Sequence, residues 1–477
     1  MKETKLELLH NLYKNWAGDS ALSINKLPAS GSKREYYRIT GSKNTVVGVI
    51  NDIREENEAF IEFSRYFRLK GLAVPEVFYA DLDNHAYLQQ DLGDTTLFDY
   101  LLQVRGDGGF PDELKQVYKR ALKELSRFQV FAAPEFNYKV CYPRASFDRQ
   151  SMQWDLSYFK YYFLKLADIP FNEQLLEDDF NTLIDYLQNV DNDYFMYRDF
   201  QSRNIMVNNG ELYFIDYQGG RKGALQYDVA SLLYDAKADI PQSIRQELLD
   251  YYVENLSLYK NVNAAEFKKG YYAYVLIRMM QAMGAFGFRG FYEKKAHFLQ
   301  SIPYALKNLG WVLHNVKLPV DIPHLMQVFK SLLASERLAR YKIKKQGKST
   351  LSVSINSFSY KKGLPGDNNG NGGGYVFDCR AIHNPGRYEE FKHLTGKDKQ
   401  VIGFFDKEED MHEFLNNVYA LVDMSVENYE ERNFTNLMVS FGCTGGQHRS
   451  VYCAEMLAAY LRQKYSVQIT LWHREQD

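Results

Sequence analysis

Asp199 and Asn204 lie in Tyr197-Arg198-Asp199-Phe200-Gln201-Ser202-Arg203-Asn204, and Asp216 follows in Phe214-Ile215-Asp216-Tyr217-Gln218. The D-x-x-x-x-N spacing, followed by a second aspartate after a short strand, matches what phosphoryl transfer needs. One carboxylate orients and deprotonates an attacking hydroxyl, while hard oxygen donors hold Mg²⁺ across nucleotide phosphates. On this spacing Asp199 is the expected base or hydroxyl-orienting group, with Asn204 and Asp216 as Mg²⁺ ligands. The competing reading is two hairpins whose acidic residues only cap turns. Asp228, in Tyr227-Asp228-Val229-Ala230, reads either as a helix N-cap that also braces this loop or as a cap alone.

A second set lies near the C-terminal end: Gly442-Cys443-Thr444-Gly445-Gly446-Gln447-His448-Arg449-Ser450. A strand, a glycine loop and a helix start place backbone amides around an anion. An arginine fork adds charge, and the same field would lower a thiol pKa. Cys443 and Arg449 have the C-x5-R spacing of cysteine phosphatases, but Gly442 stands where the catalytic version has His. Non-catalytic binding of a phosphate or phosphosugar by Cys443, Thr444, Gly445, Gly446, His448, Arg449 and Ser450 is the expectation. A purely structural turn is the alternative, and for His448 that alternative is capping the helix. Asp378, Arg380 and Asn384 read equally as ligand contacts or as a strand-end turn closed by Asn384-Pro385.

The elements around these residues fall into an α+β bilobal protein-kinase-like domain followed by a separate α/β domain. Residues 1–95 form the small lobe, with strands at Tyr36 to Ile39 and Thr45 to Ile50. Between Glu55 and Leu69, Phe60, Ile61, Phe63 and Phe67 recur at helical spacing. Tyr87 to Gly93 is the hinge. Residues 96–333 form a helical large lobe, and Trp154, Tyr158, Tyr161 and Tyr162 are candidates for acceptor choice. Residues 334–349 are a basic linker, within a stretch where Arg337, Arg340, Lys342, Lys344, Lys345, Lys348, Lys361 and Lys362 face few acidic residues. It reads as a solvated face or as a contact with RNA phosphates. Residues 350–477 resume α/β alternation, with a polar glycine run from Asp367 to Gly374, a helix from Glu409 to Tyr429 and a buried strand at Leu437 to Phe441.

With 477 residues, 45% of them hydrophobic and 25% charged, the chain is sized for two or three domains. A net charge of −2 gives no global nucleic-acid or membrane signal. Four scattered cysteines without a C-x-x-C pair argue against zinc or a disulfide framework and for a reduced, cytoplasmic setting. No stretch approaches the roughly 20 apolar residues of a membrane span. Oligomeric state is left open.

On Ser32-Lys33-Arg34-Glu35-Tyr36-Tyr37-Arg38, Gln90-Asp91-Leu92-Gly93 and the Arg198 to Asn204 and Ile215 to Gly219 segments, residues 24–333 resemble the aminoglycoside phosphotransferase superfamily. They are most similar to its kinases of amino sugars such as N-acetylmuramate and N-acetylglucosamine. The resemblance implies ATP, Mg²⁺, a small amino-sugar acceptor, and nucleotide contacts from Ser32, Lys33, Arg34, Gln90 and Asp91. Two departures stand out. Tyr197 replaces the usual His, where the side chain packs beneath the loop. No Lys occurs in Val46 to Asn51, where a strand lysine normally pairs with the phosphates and a helix Glu; Lys33 or Arg34 reads equally as the substitute for that charge or as part of a solvated turn. From about Thr350 onward, Ser357 to Pro365, Phe377 to Arg380, Leu394 to Asp398 and Gly442 to Val451 resemble the C-terminal domain of the RNase adapter protein RapZ. That resemblance implies an amino-sugar phosphate ligand, contributions to RNA binding and to oligomerisation. RapZ's P-loop pattern, G-x-x-x-x-G-K-S/T, does not occur in this sequence. The competing class is a regulatory RNA- or protein-binding adapter with a degenerate kinase domain.

Overall fold

The computed structural model describes residues 4–28, 34–105, 109–341, 351–367, 370, 373–406, 408–432 and 434–476. Ser32 and Lys33, linker residues 342–349 and glycine-run residues 368, 369, 371 and 372 lie outside them. The chain forms two compact units, Met1–Ile343 and Lys344–Asp477.

The first unit opens with helix α1 (Lys5–Ala17), which is not among the elements named from the sequence. Its ends are nevertheless written locally: Thr4 and Glu7 form a reciprocal capping box, and Gly18 closes it at φ 75°. An antiparallel sheet follows, in the order β1-β2-β3-β5-β4, from β1 (Ser23–Lys26), β2 (Glu35–Thr40), β3 (Thr45–Ile50), β4 (Val77–Asp81) and β5 (Ala86–Gln90). Helix α2 (Arg54–Leu69) lies between β3 and β4. Alternation along β3 sends Val46 and Ile50 to a cluster with Leu9, Leu12 and Tyr13 of α1. Val47 and Val49 join Phe60 and Tyr87 on the other face. Gly48 is required for that packing, because a Cβ there would lie 2.7 Å from Leu9 Cδ2 and 2.8 Å from Ile39 Cδ1.

The large lobe is helical: α3 (Leu97–Arg105), α4 (Asp112–Ser126), α5 (Arg149–Phe159), α6 (Glu173–Gln188), then α7 (Leu225–Leu233), α8 (Gln242–Leu256), α9 (Ala264–Phe286), α10 (Ala296–Leu299), α11 (Ile302–Asn315), α12 (Pro323–Ala334) and α13 (Glu336–Ala339). Between α6 and α7 come β6 (Tyr194–Met196), β7 (Ile205–Asn208), β8 (Glu211–Phe214) and β9 (Arg221–Gly223), paired as β6–β9 and β7–β8. A continuous core of Phe, Tyr and aliphatic side chains joins the small-lobe helix α2 to these helices.

The second unit has a parallel sheet ordered β11-β12-β10-β13, from β10 (Ser352–Ser359), β11 (Tyr375–Asp378), β12 (Asn436–Cys443) and β13 (Gln468–His473). It carries α14 (Lys399–Phe405), α15 (Glu409–Glu431) and α16 (Arg449–Lys464). Its core gathers Val353, Ile355, Val439, Phe441, Leu457 and Leu461. Among the described residues no helix is long and apolar enough to cross a membrane.

Close backbone approach at the end of α9 supplies a stability test. A Cβ at Gly287 would lie 1.9 Å from the Tyr162 carbonyl oxygen, whereas at Gly310, in α11, the nearest atom would be 3.7 Å away. Gly287→Ala should cost about 3 kcal/mol. Gly310→Ala should gain up to about 1 kcal/mol from helix propensity. Urea midpoints of the two variants should therefore move in opposite directions.

Candidate functional site

The β7–β8 hairpin brings the predicted metal ligands together. Its register pairs Ile205 with Phe214, so Asn204, next to Ile205, and Asp216, two residues beyond Phe214, sit at the same end of the ladder. Asn204 Nδ2 donates to the Asp199 carbonyl at 2.9 Å and to Asp216 Oδ2 at 3.3 Å. Arg198 (φ 80°) and Asp216 (φ 66°) both occupy the left-handed region, which non-glycine residues rarely adopt and which marks functional loops.

The loop holding Asp199 is braced from behind. Asp228 is buried in the first turn of α7 and accepts the amides of Tyr197 (2.7 Å) and Arg198 (2.9 Å) and Gln129 Nε2 (2.9 Å). It is not an N-cap. That position falls to Ala224, so the bracing half of the sequence reading describes Asp228 and the capping half does not. Burial pushes the Asp228 carboxyl up to about 7, against the pull of these three donors. Tyr197 is fully buried, donates to the Ile215 carbonyl at 2.6 Å and packs against Phe128 and Phe200. The Arg198 side chain forms a bidentate pair with Asp155 of α5, at 2.7 and 2.5 Å, and donates to Tyr227 Oη at 2.6 Å. Asp199 is left half-buried. Burial and then the charge of Asp216 raise its pKa, while Arg198, Arg278 and Arg221 pull it down.

The missing strand lysine has a counterpart. Val47 and Val49 fill the core-facing side of β3, and Arg34, just before β2, reaches the helix instead. Its Nη2 donates to Glu56 Oε2 at 2.6 Å, and its Nη1 lies 3.3 Å from Asp216 Oδ1. Arg34 is only 8% exposed. Glu56 is held in place by the start of α2, where Asn51 Nδ2 donates to Glu56 Oε2 (3.3 Å) and Asn57 Oδ1 (3.1 Å), and Asn57 Nδ2 returns a bond to the Asn51 carbonyl (2.8 Å). Phe60 stacks on Tyr217, and Ser64 Oγ meets Tyr217 Oη at 2.5 Å, so α2 rests directly on the segment carrying Asp216.

The donor set fits a hard divalent cation. Three N–H donors, from Arg34, Gln218 (2.5 Å) and Asn204, turn on the Asp216 carboxylate, which marks a concentration of negative charge. Gln218 Oε1 is buried without a hydrogen-bond partner among the described residues. Among the described residues no group of three or more His, Cys, Asp or Glu side chains could hold a metal ion by itself.

Other predicted residues are engaged elsewhere. Gln90 Oε1 accepts the Glu76 amide (3.3 Å), and Asp91 pairs with Arg38 (2.6 and 3.0 Å), so both side chains secure the hinge. Trp154 and Tyr161 are largely exposed, while Tyr158 and Tyr162 pack against Phe288. Glu56, Asp155, Gln218, Arg221 and Arg278 were not singled out from the sequence. Only Gln218 lay within a quoted motif.

In the second unit the loop from β12 to α16 curls as the glycines predict. Gly446, at φ 69°, donates its amide to Cys443 Sγ at 3.1 Å, and Ser450 Oγ lies 3.2 Å from the same sulfur. Thr444 and Gly445 are exposed at the rim. His448 and Arg449 turn away: His448 Nε2 lies 2.8 Å from the Phe391 carbonyl, and Arg449 Nη1 donates to the carbonyls of Arg380 (2.9 Å) and Ile382 (2.8 Å). Asp378 pairs with Arg380, and Asn384 Oδ1 accepts the Gly386 amide at 3.2 Å, which are turn-closing roles. The methylene groups of the chain's own Glu475 sit against Gly446, and its carboxylate lies beside the end of β10. It accepts from the Ser359 amide (3.4 Å) and Arg474 Nε (3.1 Å) and pairs with Lys362, so an anion is already seated at this end of the sheet.

Two lobes around a hinge, with this loop and hairpin between them, define a kinase-like phosphotransferase fold. The chain belongs to the phosphotransferase enzyme family, whose model matches residues 23–261, and a RapZ C-terminal domain model matches residues 351–477. Among curated relatives, a nucleotide-binding protein of Xanthomonas oryzae pv. oryzae (strain PXO99A) is 35% identical over 127 residues, 27% of this chain and 43% of that protein. One from Fervidobacterium nodosum is 37% identical over 134 residues, covering 28% and 45%. The chain thus spans less than half the length of these relatives. Among solved structures, choline kinase LicA from Streptococcus pneumoniae aligns with a TM-score of 0.42 at 13% identity, over 64% of this chain and 99% of that one. A choline kinase from Cryptosporidium parvum Iowa II aligns with a TM-score of 0.46 at 10% identity, over 68% and 100%.

Arg34→Ala should raise the KM for ATP about tenfold or more while Arg34→Lys retains part of the affinity, as steady-state kinetics at saturating acceptor will show. The raised Asp199 pKa predicts an acid limb in kcat/KM above the ordinary aspartate range, with activity lost as pH falls through it.

Proposed function

We propose that the first unit is an ATP- and Mg²⁺-dependent kinase of a small hydroxylated acceptor, with an amino sugar as the acceptor class. The observation that carries this reading is the convergence of Asp199, Asn204 and Asp216 beside the Arg34–Glu56 pair. Asp199 receives the proton of the acceptor hydroxyl, whose oxygen bonds to the γ-phosphorus as the bond to ADP breaks. Asn204 and Asp216 would hold magnesium, which when bound neutralises and aligns the nucleotide phosphates. Arg34 supplies the phosphate-side positive charge, and Asp228 and Asp155 keep the loop in place through the Arg198 backbone and side chain. The amino-sugar assignment draws on the resemblance of the Ser32 to Arg38 and Arg198 to Asn204 segments.

For the second unit we propose binding of a phosphorylated sugar at the β12–α16 loop. The C-terminal ends of β10, β11 and β12 lie side by side there, where parallel sheets bind ligands. The seated Glu475 carboxylate is the supporting observation. Thr444, Gly445 and the Gly446 turn are the loop groups placed for it, whereas His448 and Arg449 shape the loop by holding neighbouring carbonyls. An adapter reading, in which RNA binding is the output, predicts RNA affinity that falls steeply with salt and no ATP turnover.

An ATP-consumption screen over sugars, amino sugars and aminoglycosides tests the kinase reading. Turnover should drop about 10²- to 10⁴-fold in Asp199→Asn, with an unchanged circular-dichroism spectrum. Wild-type turnover by that variant would refute the site. Calorimetry of the full chain against amino-sugar phosphates tests the second unit, and absence of heat across the series would refute it.

A further inference from the structure

Four helices of the large lobe enclose an arginine that has no carboxylate partner among the described residues. Arg245, on α8, is 5% exposed; its Nη2 donates to Asn308 Oδ1 of α11 at 2.7 Å and its Nη1 to Gln242 Oε1 at 3.4 Å, both neutral oxygens. The guanidinium lies 4.4 Å from the ring centre of Tyr234, at the end of α7, and the Tyr234 ring is 6.5 Å from that of Tyr271 on α9. Tyr234, Tyr271 and Asn308 are all buried. Arg245 Nε, Asn308 Nδ2 and the hydroxyls of Tyr234 and Tyr271 have no hydrogen-bond partner among the described residues. Asp239, the acid whose charge acts on Arg245, is itself paired with Lys307 at 2.7 Å.

Buried polar groups are normally paired, and a buried charge left unpaired is costly. Burial lowers the Arg245 pKa, against the pull of Tyr234, Tyr271 and Asp239. The four unpartnered groups all carry hydrogen, so the cluster is rich in donors and poor in acceptors: its two amide oxygens, of Asn308 and Gln242, already receive the guanidinium. A water molecule would accept two of these bonds and leave the charge uncompensated, and its own hydrogens would find only phenol oxygens. A small anion accepts from every side and cancels the charge. One guanidinium calls for one negative charge, and donors arriving from separate helices suit an acceptor without directional preference.

We propose that this cluster binds a small monovalent anion of the chloride type, held by Arg245, Asn308, Tyr234 and Tyr271. The anion ties the end of α7 to α8, α9 and α11. Helix α7 carries Asp228 in its first turn, so the ion anchors the far end of the helix that braces the Asp199 loop. The inference concerns the packing of the large lobe and stands apart from the nucleotide and the acceptor, so it does not rest on the kinase reading.

The test uses the full chain, exchanged into gluconate and then titrated with chloride or bromide at constant ionic strength. Above half-saturation the melting midpoint should rise with the logarithm of halide concentration, by about 2 to 4 °C per tenfold. Tyr271→Phe removes one donor and keeps the ring, and should move the onset of this rise to about tenfold higher halide, as expected for loss of a hydrogen bond to a charged group. Arg245→Met should abolish the rise. Crystals grown in bromide should show an anomalous-scattering peak within hydrogen-bond reach of Arg245 Nε. Equal midpoints in gluconate and halide, with only water at that position, overturn the proposal. A halide effect unchanged in both Tyr271→Phe and Arg245→Met places the anion elsewhere and overturns it too. If Arg245→Met fails to fold, Tyr271→Phe and the bromide peak decide, and the peak takes precedence wherever melting and diffraction differ.

Discussion

Inside the large lobe the Asp228 carboxylate accepts two successive backbone amides, those of Tyr197 and Arg198, together with the side chain of Gln129. Two consecutive N–H groups aimed at one carboxylate are incompatible with a regular strand, so β6 must end there and the chain must turn. The turn carries Arg198 into the left-handed region and sets the next side chain, Asp199, toward the open face. A buried acceptor with three donors is costly to disturb, since removing it would leave several donors without partners. Asp199 is therefore positioned by the core.

From that point the two lobes share one strategy, in which charged groups are placed by other buried polar groups. Asn51 and Asn57 fix the first turn of α2, which fixes Glu56, which receives Arg34. Tyr217 couples the same helix to the hairpin through its ring and its hydroxyl. The hinge is held in the same manner by Arg38 and Asp91. β3 gives both faces to apolar packing, and the guanidinium that pairs with Glu56 comes from Arg34, just before β2.

The sequence made the central trio legible because its spacing is local: a short loop and a hairpin determine where Asn204 and Asp216 meet, and glycine and strand signals mark both. The β2, β3, α2 and β12 segments were legible for the same reason, each having a clear period. What escaped was long-range or disguised by polarity. Asp155 and Arg198 are 43 residues apart, and nothing in either neighbourhood names the other. Nothing in the sequence marks Arg221 and Arg278, because arginine is usually a surface charge and only the fold shows them buried. Arg34 and Lys33 were equivalent as charges in a loop until Glu56 distinguished Arg34. His448 and Arg449 fit an anion motif by spacing, yet carbonyls of neighbouring turns claim their side chains. Helix α1 went unread although its capping box and its apolar period, Leu8, Leu9, Leu12, Tyr13 and Trp16, were both in view.

Arg198 joins two demands that no single amino acid satisfies at once. Its backbone, at φ 80°, is a conformation glycine adopts without strain, while its side chain neutralises Asp155. Relaxing the first means abandoning the second, so local conformational preference and site chemistry point to different residues at this position. A library ranked by thermal stability and one ranked by turnover would part company here, and the position itself records which of the two the chain retained.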